Sequence, residues 1–168
     1  MTGKTIYNCG ILTLSDKGSR GEREDTSGKR LQEIMREAGF KIMAYEVIPD
    51  KLEIITDRLI DWADIKGLDI IITTGGTGVS PSDVTPEATA KVIHRELPGI
   101  SEAMRAASLK ITPHAMLSRG KSGIRGKCLI INLPGSKKAA EENIATVMAS
   151  LPHAIYKIKG GMADCGSE

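Results

Sequence analysis

Aromatic side chains are scarce in this sequence. Only Tyr7, Phe40, Tyr45, Trp62 and Tyr156 are present among 168 residues, too few for the stacking platforms that hold single-stranded nucleic acids. No run approaches the roughly 18 apolar residues of a membrane span, and residues 1–8 lack the apolar centre of a signal peptide. No membrane partner is expected, and the chain reads as soluble and cytoplasmic. Charge of one sign is also missing: 23 basic against 21 acidic residues leave +2, which argues against an acidic tail and against a protein that coats nucleic acid. Cysteine is limited to Cys9, Cys128 and Cys165, without a C-x-x-C pair. Neither a disulfide framework nor a zinc site is expected, and the thiols should be reduced. His94, His114 and His153 lack ligand spacing and read as surface or packing residues.

What is present is an aliphatic core, with 40% hydrophobic residues in a length suited to one domain spanning residues 1–168. Residues 7–14, 40–48, 69–73 and 127–133 are short apolar runs that predict strands. The run Asp69-Ile70-Ile71-Ile72-Thr73 is almost continuous, as in strands covered on both faces. Between them the period changes to that of helices. Leu31, Ile34, Met35 and Ala38 follow Asp25 and stop at Gly39; Leu52, Ile55, Leu59 and Trp62 follow Asp50, with Glu53 as in a capping box. Thr85-Pro86-Glu87 reads as N-cap, first-turn proline and first-turn acid. Pro98-Gly99 opens a helix to about residue 109, and residues 139–159 form the last, with a break expected at Pro152. This alternation predicts an α/β, three-layer sandwich with a mainly parallel central sheet flanked by helices.

In such sheets ligands gather where strand-to-helix loops converge, so residues 15–25, 49–50, 74–83 and 134–136 become candidates together. The loop Thr74-Gly75-Gly76-Thr77-Gly78 has the chemistry of a phosphate cradle, because glycine lets the backbone approach an anion closely. It is not a Walker loop, since Val79-Ser80 follows Gly78, and Pro81 stands where a dinucleotide fingerprint needs glycine. A tight structural connection remains the alternative reading. Between Glu102 and Glu141 there is no acid but eight basic residues, including Arg105, Arg119, Lys121 and Arg125. Against a whole-chain charge of +2, that points to a polyanionic small ligand, with residues 118–126 as an anion-binding loop. Asp50 and Asp83 lie at strand ends, where they would either orient a Mg²⁺ ion or serve as a helix cap and a turn residue.

At these residues the sequence resembles the molybdenum-cofactor biosynthesis proteins, specifically molybdopterin adenylyltransferases of the MogA type. The resemblance rests on Thr73-Thr74-Gly75-Gly76-Thr77-Gly78 with Pro81-Ser82-Asp83-Val84-Thr85-Pro86-Glu87, and on Ser15-Asp16, Val47-Ile48-Pro49-Asp50, Leu97-Pro98-Gly99, Ala115-Met116-Leu117-Ser118-Arg119, Gly123-Ile124-Arg125-Gly126 and Asn132-Leu133-Pro134-Gly135-Ser136. These run in family order through almost the whole chain, without the extra domains of gephyrin-like relatives. A departure is Lys137-Lys138 after Ser136, where many relatives carry proline.

The resemblance implies transfer of AMP from Mg-ATP to the terminal phosphate of molybdopterin, with release of pyrophosphate. It implies Asp50 and Asp83 as the essential acids and Mg²⁺ ligands. Thr74, Gly75, Gly76, Thr77 and Gly78 would cradle phosphate, and Ser118, Arg119 and Arg125 would hold anionic groups. Pro134, Gly135 and Ser136 would lie at the same face, and Ser15 and Asp16 would approach the nucleotide. A homotrimer and a molybdate-inserting partner protein are further implications. The alternatives are a MoaB-type paralogue or a scaffold, either of which binds molybdopterin without being the dedicated adenylyltransferase.

Overall fold

The computed structural model describes residues 5–162; Cys165 and residues 1–4 of the N-terminal reading lie outside the described residues. Six strands form one sheet: β1 (Asn8–Leu14), β2 (Lys41–Ile48), β3 (Ile70–Thr74), β4 (Arg95–Glu96), β5 (Ser122–Arg125) and β6 (Cys128–Leu133), in the order β2-β1-β3-β6-β5-β4. The first four in that order are parallel, while β5 and β4 add an antiparallel edge. Along the central strands the side chains alternate between two cores, as the period of two requires. Ile70, Ile72, Leu129 and Ile131 enter one core, whereas Ile71 and Ile130 enter the other. Helices α2 (Thr26–Glu37), α5 (Pro98–Leu109), α6 (Lys137–Val147) and α7 (Leu151–Ile158) cover the first face, and α3 (Leu52–Ile60) and α4 (Thr85–Val92) the second. This is the expected three-layer α/β sandwich.

Local chemistry explains the helix boundaries. Asp25 caps α2 by accepting from Gly28 N at 2.8 Å, and Gly39 (φ +91°) supplies the left-handed residue after its end. Ser136 caps α6 by accepting from Ala139 N at 3.2 Å. The final helical stretch breaks earlier than at Pro152, through a 3₁₀ turn over Met148–Ser150, which leaves the proline in the first turn of α7, where its missing N–H costs nothing.

Three expectations are corrected. Asp50 does not cap α3: Lys51 occupies that position without a side-chain cap, and the Asp50 carboxylate is engaged elsewhere. Thr85 is the first residue of α4 rather than its cap, because its hydroxyl donates to Gly75 O at 2.9 Å and Val84 takes the cap position. Residues 118–126 are not all loop, since Ser122–Arg125 pairs with β6 through a two-residue turn at Gly126-Lys127, with Gly126 at φ +54°.

The chain runs from β1 outward to β2 and then crosses back past β1 to β3 on its other side. That reversal opens a crevice at the carboxyl ends of the strands, and the candidate loops meet there.

Candidate active site

Four strand ends build a polar cavity of about 340 Å³. β1 delivers Ser15, β2 delivers Asp50, β3 delivers Thr74, Gly75 and Gly76, and β6 delivers Gly135 and Ser136; Asp83 closes the wall from the glycine loop's far end. Backbone contacts lock these loops together. Gly75 N donates to Leu133 O at 3.1 Å, Thr74 Oγ1 to Pro134 O at 2.7 Å, and Ser27 Oγ of α2 to Gly135 O at 2.8 Å. Gly75 (φ +103°) and Gly76 (φ +64°) both occupy left-handed backbone. A Cβ on Gly75 would come within 3.0 Å of Leu14 O, and one on Gly76 within 3.0 Å of Thr85 Oγ1. Both glycines are therefore required by conformation and by close approach.

Asp50 and Asp16 clasp each other: Asp16 N donates to Asp50 Oδ2 at 3.0 Å, and Asp50 N to Asp16 Oδ1 at 3.0 Å. The clasp ties the end of β2 to α1 (Asp16–Ser19), a single turn capped by Ser15. Burial pushes the Asp50 carboxyl above its ordinary value. The Asp16 N–H opposes this, and the charges of Asp16 and Asp83 add to it. Asp83 accepts from Ser80 N at 2.9 Å. Two acids whose charges are felt at one point, in a wall of backbone, invite a positively charged species between them.

Across the ridge formed by Thr77, Gly78 and Pro134 lies a second cavity of about 270 Å³. Its wall is more apolar, with Met104, Ile111 and Leu117, and carries polar groups from Ser118, Arg105 and Asn143. Arg105 is held toward it by donating to Gly120 O at 3.0 Å.

Of the residues expected from the sequence, Thr74, Gly75, Gly76, Gly135, Ser136, Ser15, Asp50 and Asp83 come together in the first cavity, and Thr77, Gly78, Ser118 and Pro134 in the second. Asp16 joins through its clasp on Asp50. Two arginines behave differently from the expectation. Arg119 is spent on the glycine loop: Nε donates to Gly78 O at 2.6 Å, Nη2 to Asp83 O at 2.7 Å, and Nη1 pairs with Glu87. It is a clamp on the segment carrying Asp83. Arg125 lines neither cavity and forks onto Asp64 at 3.0 and 2.7 Å while donating to Val92 O. The cations that do line the cavities are Arg105 and Arg23, which the sequence signalled only as members of a basic stretch and a candidate loop. Asp25 was likewise legible only as a helix start, and it also binds Thr13 and Tyr45, each at 2.7 Å.

The chain belongs to a family of cofactor-biosynthesis domains: the profile described as "Probable molybdopterin binding domain" matches residues 10–153. The molybdopterin adenylyltransferase of Helicobacter pylori (strain J99) is 44% identical over 159 residues, covering 94% of this chain and 90% of that protein. Gephyrin of Dictyostelium discoideum is 44% identical over 87% of this chain, which spans only 22% of that larger protein. Among solved structures, the molybdopterin biosynthesis enzyme MoaB of Thermus thermophilus superposes with a TM-score of 0.88 at 49% identity, covering 92% of this chain and 98% of that one.

Proposed function

We propose that this protein transfers AMP from Mg-ATP to the terminal phosphate of molybdopterin, releasing pyrophosphate and yielding adenylyl-molybdopterin. The observation that carries the reading is the pair of cavities lined by successive parts of the glycine loop: Thr74, Gly75 and Gly76 line the polar, acid-lined one, and Thr77 and Gly78 line the other, apolar with a few polar groups. Such an arrangement suits a reaction between two phosphates whose organic parts lie apart. Relatives named molybdopterin adenylyltransferase, similar over almost the whole chain, support it.

In-line attack by one phosphate on another demands position and charge neutralisation rather than a covalent intermediate. The chain's own residues supply position. Gly75 and Gly76 leave backbone unshielded, Ser136 and Asp25 mark the starts of two helices whose positive ends favour anions, and Arg119 holds Gly78 and Asp83 in register. Asp50 and Asp83 fit a Mg²⁺ site. They are hard oxygen donors lining the same polar cavity, and burial makes Asp50 costly to ionise unaided. A magnesium ion usually takes one or two protein carboxylates and completes its shell with phosphate and water. When bound, it would neutralise the charge gathering on the reacting phosphates. Ser118 and Arg105 would receive the anionic end of the pterin, while Ser15 and Asp16 shape the rim beside the nucleotide.

To the same reading belong a cytoplasmic location, a homotrimer and a molybdate-inserting partner. No helix among the described residues is long and apolar enough to cross a membrane. The exposed Leu109 and Met116 offer apolar surface for contact between copies, and light scattering reads the trimer directly. The identity to a MoaB enzyme favours a second reading, molybdopterin binding without transfer. Incubation with molybdopterin, Mg²⁺ and ATP labelled in the α-phosphate separates the two. Label recovered in adenylyl-molybdopterin with equimolar pyrophosphate is expected; pterin bound without product selects the second reading.

A further inference from the structure

The polar cavity has an unusual charge inventory for a place that must receive a triphosphate. Its acidic lining residues are Glu24, Asp25, Asp50 and Asp83, and its only cationic lining residue is Arg23. Two of these acids are already committed. Glu24 pairs with Lys29 at 2.8 Å, and Asp25 accepts from Thr13, Tyr45 and Gly28 N. Asp50 and Asp83 remain on the side of the glycine loop. Arg23 lines the cavity from the segment leading to the α2 cap, exposed and with no ion pair or hydrogen bond among the described residues. An arginine with no partner beside a cavity lined by helix starts is a planar donor fork without an acceptor, a geometry suited to phosphate.

We propose that Arg23 binds the β- and γ-phosphates of ATP and stays with them as they leave. This rests on the adenylyl-transfer reading and adds to it a residue that receives the departing group. In the transfer an oxygen of the pterin phosphate forms a new bond to the α-phosphorus, and the bond from that phosphorus to the bridging oxygen of the β-phosphate breaks. The electron pair goes to that oxygen, so pyrophosphate leaves fully ionised and no proton changes hands. Negative charge therefore accumulates on the β-phosphate at the transition state. A guanidinium there interacts more strongly as the bond breaks, which is what accelerates a step. Arg119 and Arg105 are bound to loop carbonyls, and neither lines this cavity.

Titration calorimetry with Arg23→Ala and Arg23→Lys tests the assignment, using ATP, pyrophosphate and AMP as separate ligands with Mg²⁺ present. The exposed side chain has no internal contacts to lose, so both variants should melt with the wild type. Arg23→Ala should weaken ATP and pyrophosphate by about tenfold, the loss of one charge-assisted contact, and leave AMP unchanged, with Arg23→Lys in between. Equal affinity of wild type and Arg23→Ala for ATP and pyrophosphate overturns the role of Arg23 alone. So does a parallel loss for AMP, because AMP has no leaving phosphates. A wild-type protein that binds none of the three overturns the adenylyl-transfer reading and this inference together.

Discussion

Gly76→Ala is the sharpest probe of the loop that separates the two cavities. Its backbone sits at φ +64°, where a Cβ crowds the neighbouring carbonyl at a cost of about 1–2 kcal/mol. The same Cβ would come within 3.0 Å of Thr85 Oγ1 and lie 3.0 Å from Asp50 Oδ1. Thr85 is fully buried and cannot yield without giving up its bond to Gly75 O, and an unsatisfied buried pair costs about 1–3 kcal/mol. The two effects together predict a loss of about 2–5 kcal/mol, or roughly 5–15 °C in melting temperature for a chain of this length. Calorimetric melts of the wild type, Gly76→Ala, Thr85→Ala and the double variant form a cycle. Removing the Thr85 hydroxyl first should relieve the steric part, so the double variant should be more stable than the two single losses predict. A Gly76→Ala protein that melts within a degree or two of the wild type would refute both the left-handed backbone and the contact with Thr85.

Asp50→Asn tests the electrostatics of the clasp. Because burial raises the folded-state pKa of Asp50, its contribution is complete below the unfolded value and is lost as pH rises through the folded one. Above the unfolded value that raised pKa counts against folding, so Asp50→Asn should melt at or above the wild-type temperature at pH 7, with the gap closing toward acid pH. A lower melting temperature at pH 7 would contradict this. Arg125→Ala should lower stability by about 1 kcal/mol, as a forked but partly exposed ion pair is lost, while affinity for molybdopterin and its salt dependence stay as in the wild type. Weakened pterin binding in that variant, measured by titration, would return Arg125 to the site.

The strand positions and the four converging loops were legible because periodicity and glycine placement are local properties of the chain. Strands β1, β2, β3 and β6 fall within a residue or two of the apolar runs. What escaped is what depends on partners far away in sequence. Asp50 looks like a cap when read beside Glu53, and only the fold reveals Asp16, 34 residues distant, as its partner. Arg119 and Arg125 share one basic stretch, yet one grips the glycine loop and the other Asp64. Charge counting cannot separate them, because their roles follow from β5 carrying Arg125 away from the crevice. The turn at Gly126-Lys127 between two apolar-containing runs was the available hint of that strand. Arg23 gave no signal beyond lying in a candidate loop.

Whether the two aspartates serve transfer itself is decided by a single-turnover measurement of adenylyl-molybdopterin formation by the wild type, Asp50→Asn and Asp83→Asn, each saturated with Mg-ATP and preloaded with molybdopterin. Asparagine preserves the hydrogen bonds that Asp50 accepts from Asp16 N and Asp83 from Ser80 N, but it lacks the anionic oxygens that hold a divalent cation. Normal folding and pterin binding are expected in both variants, with transfer reduced on the order of a hundredfold or more. Wild-type product formation by both variants would contradict the proposed function of the pair and leave the two aspartates as structural residues of a binding domain.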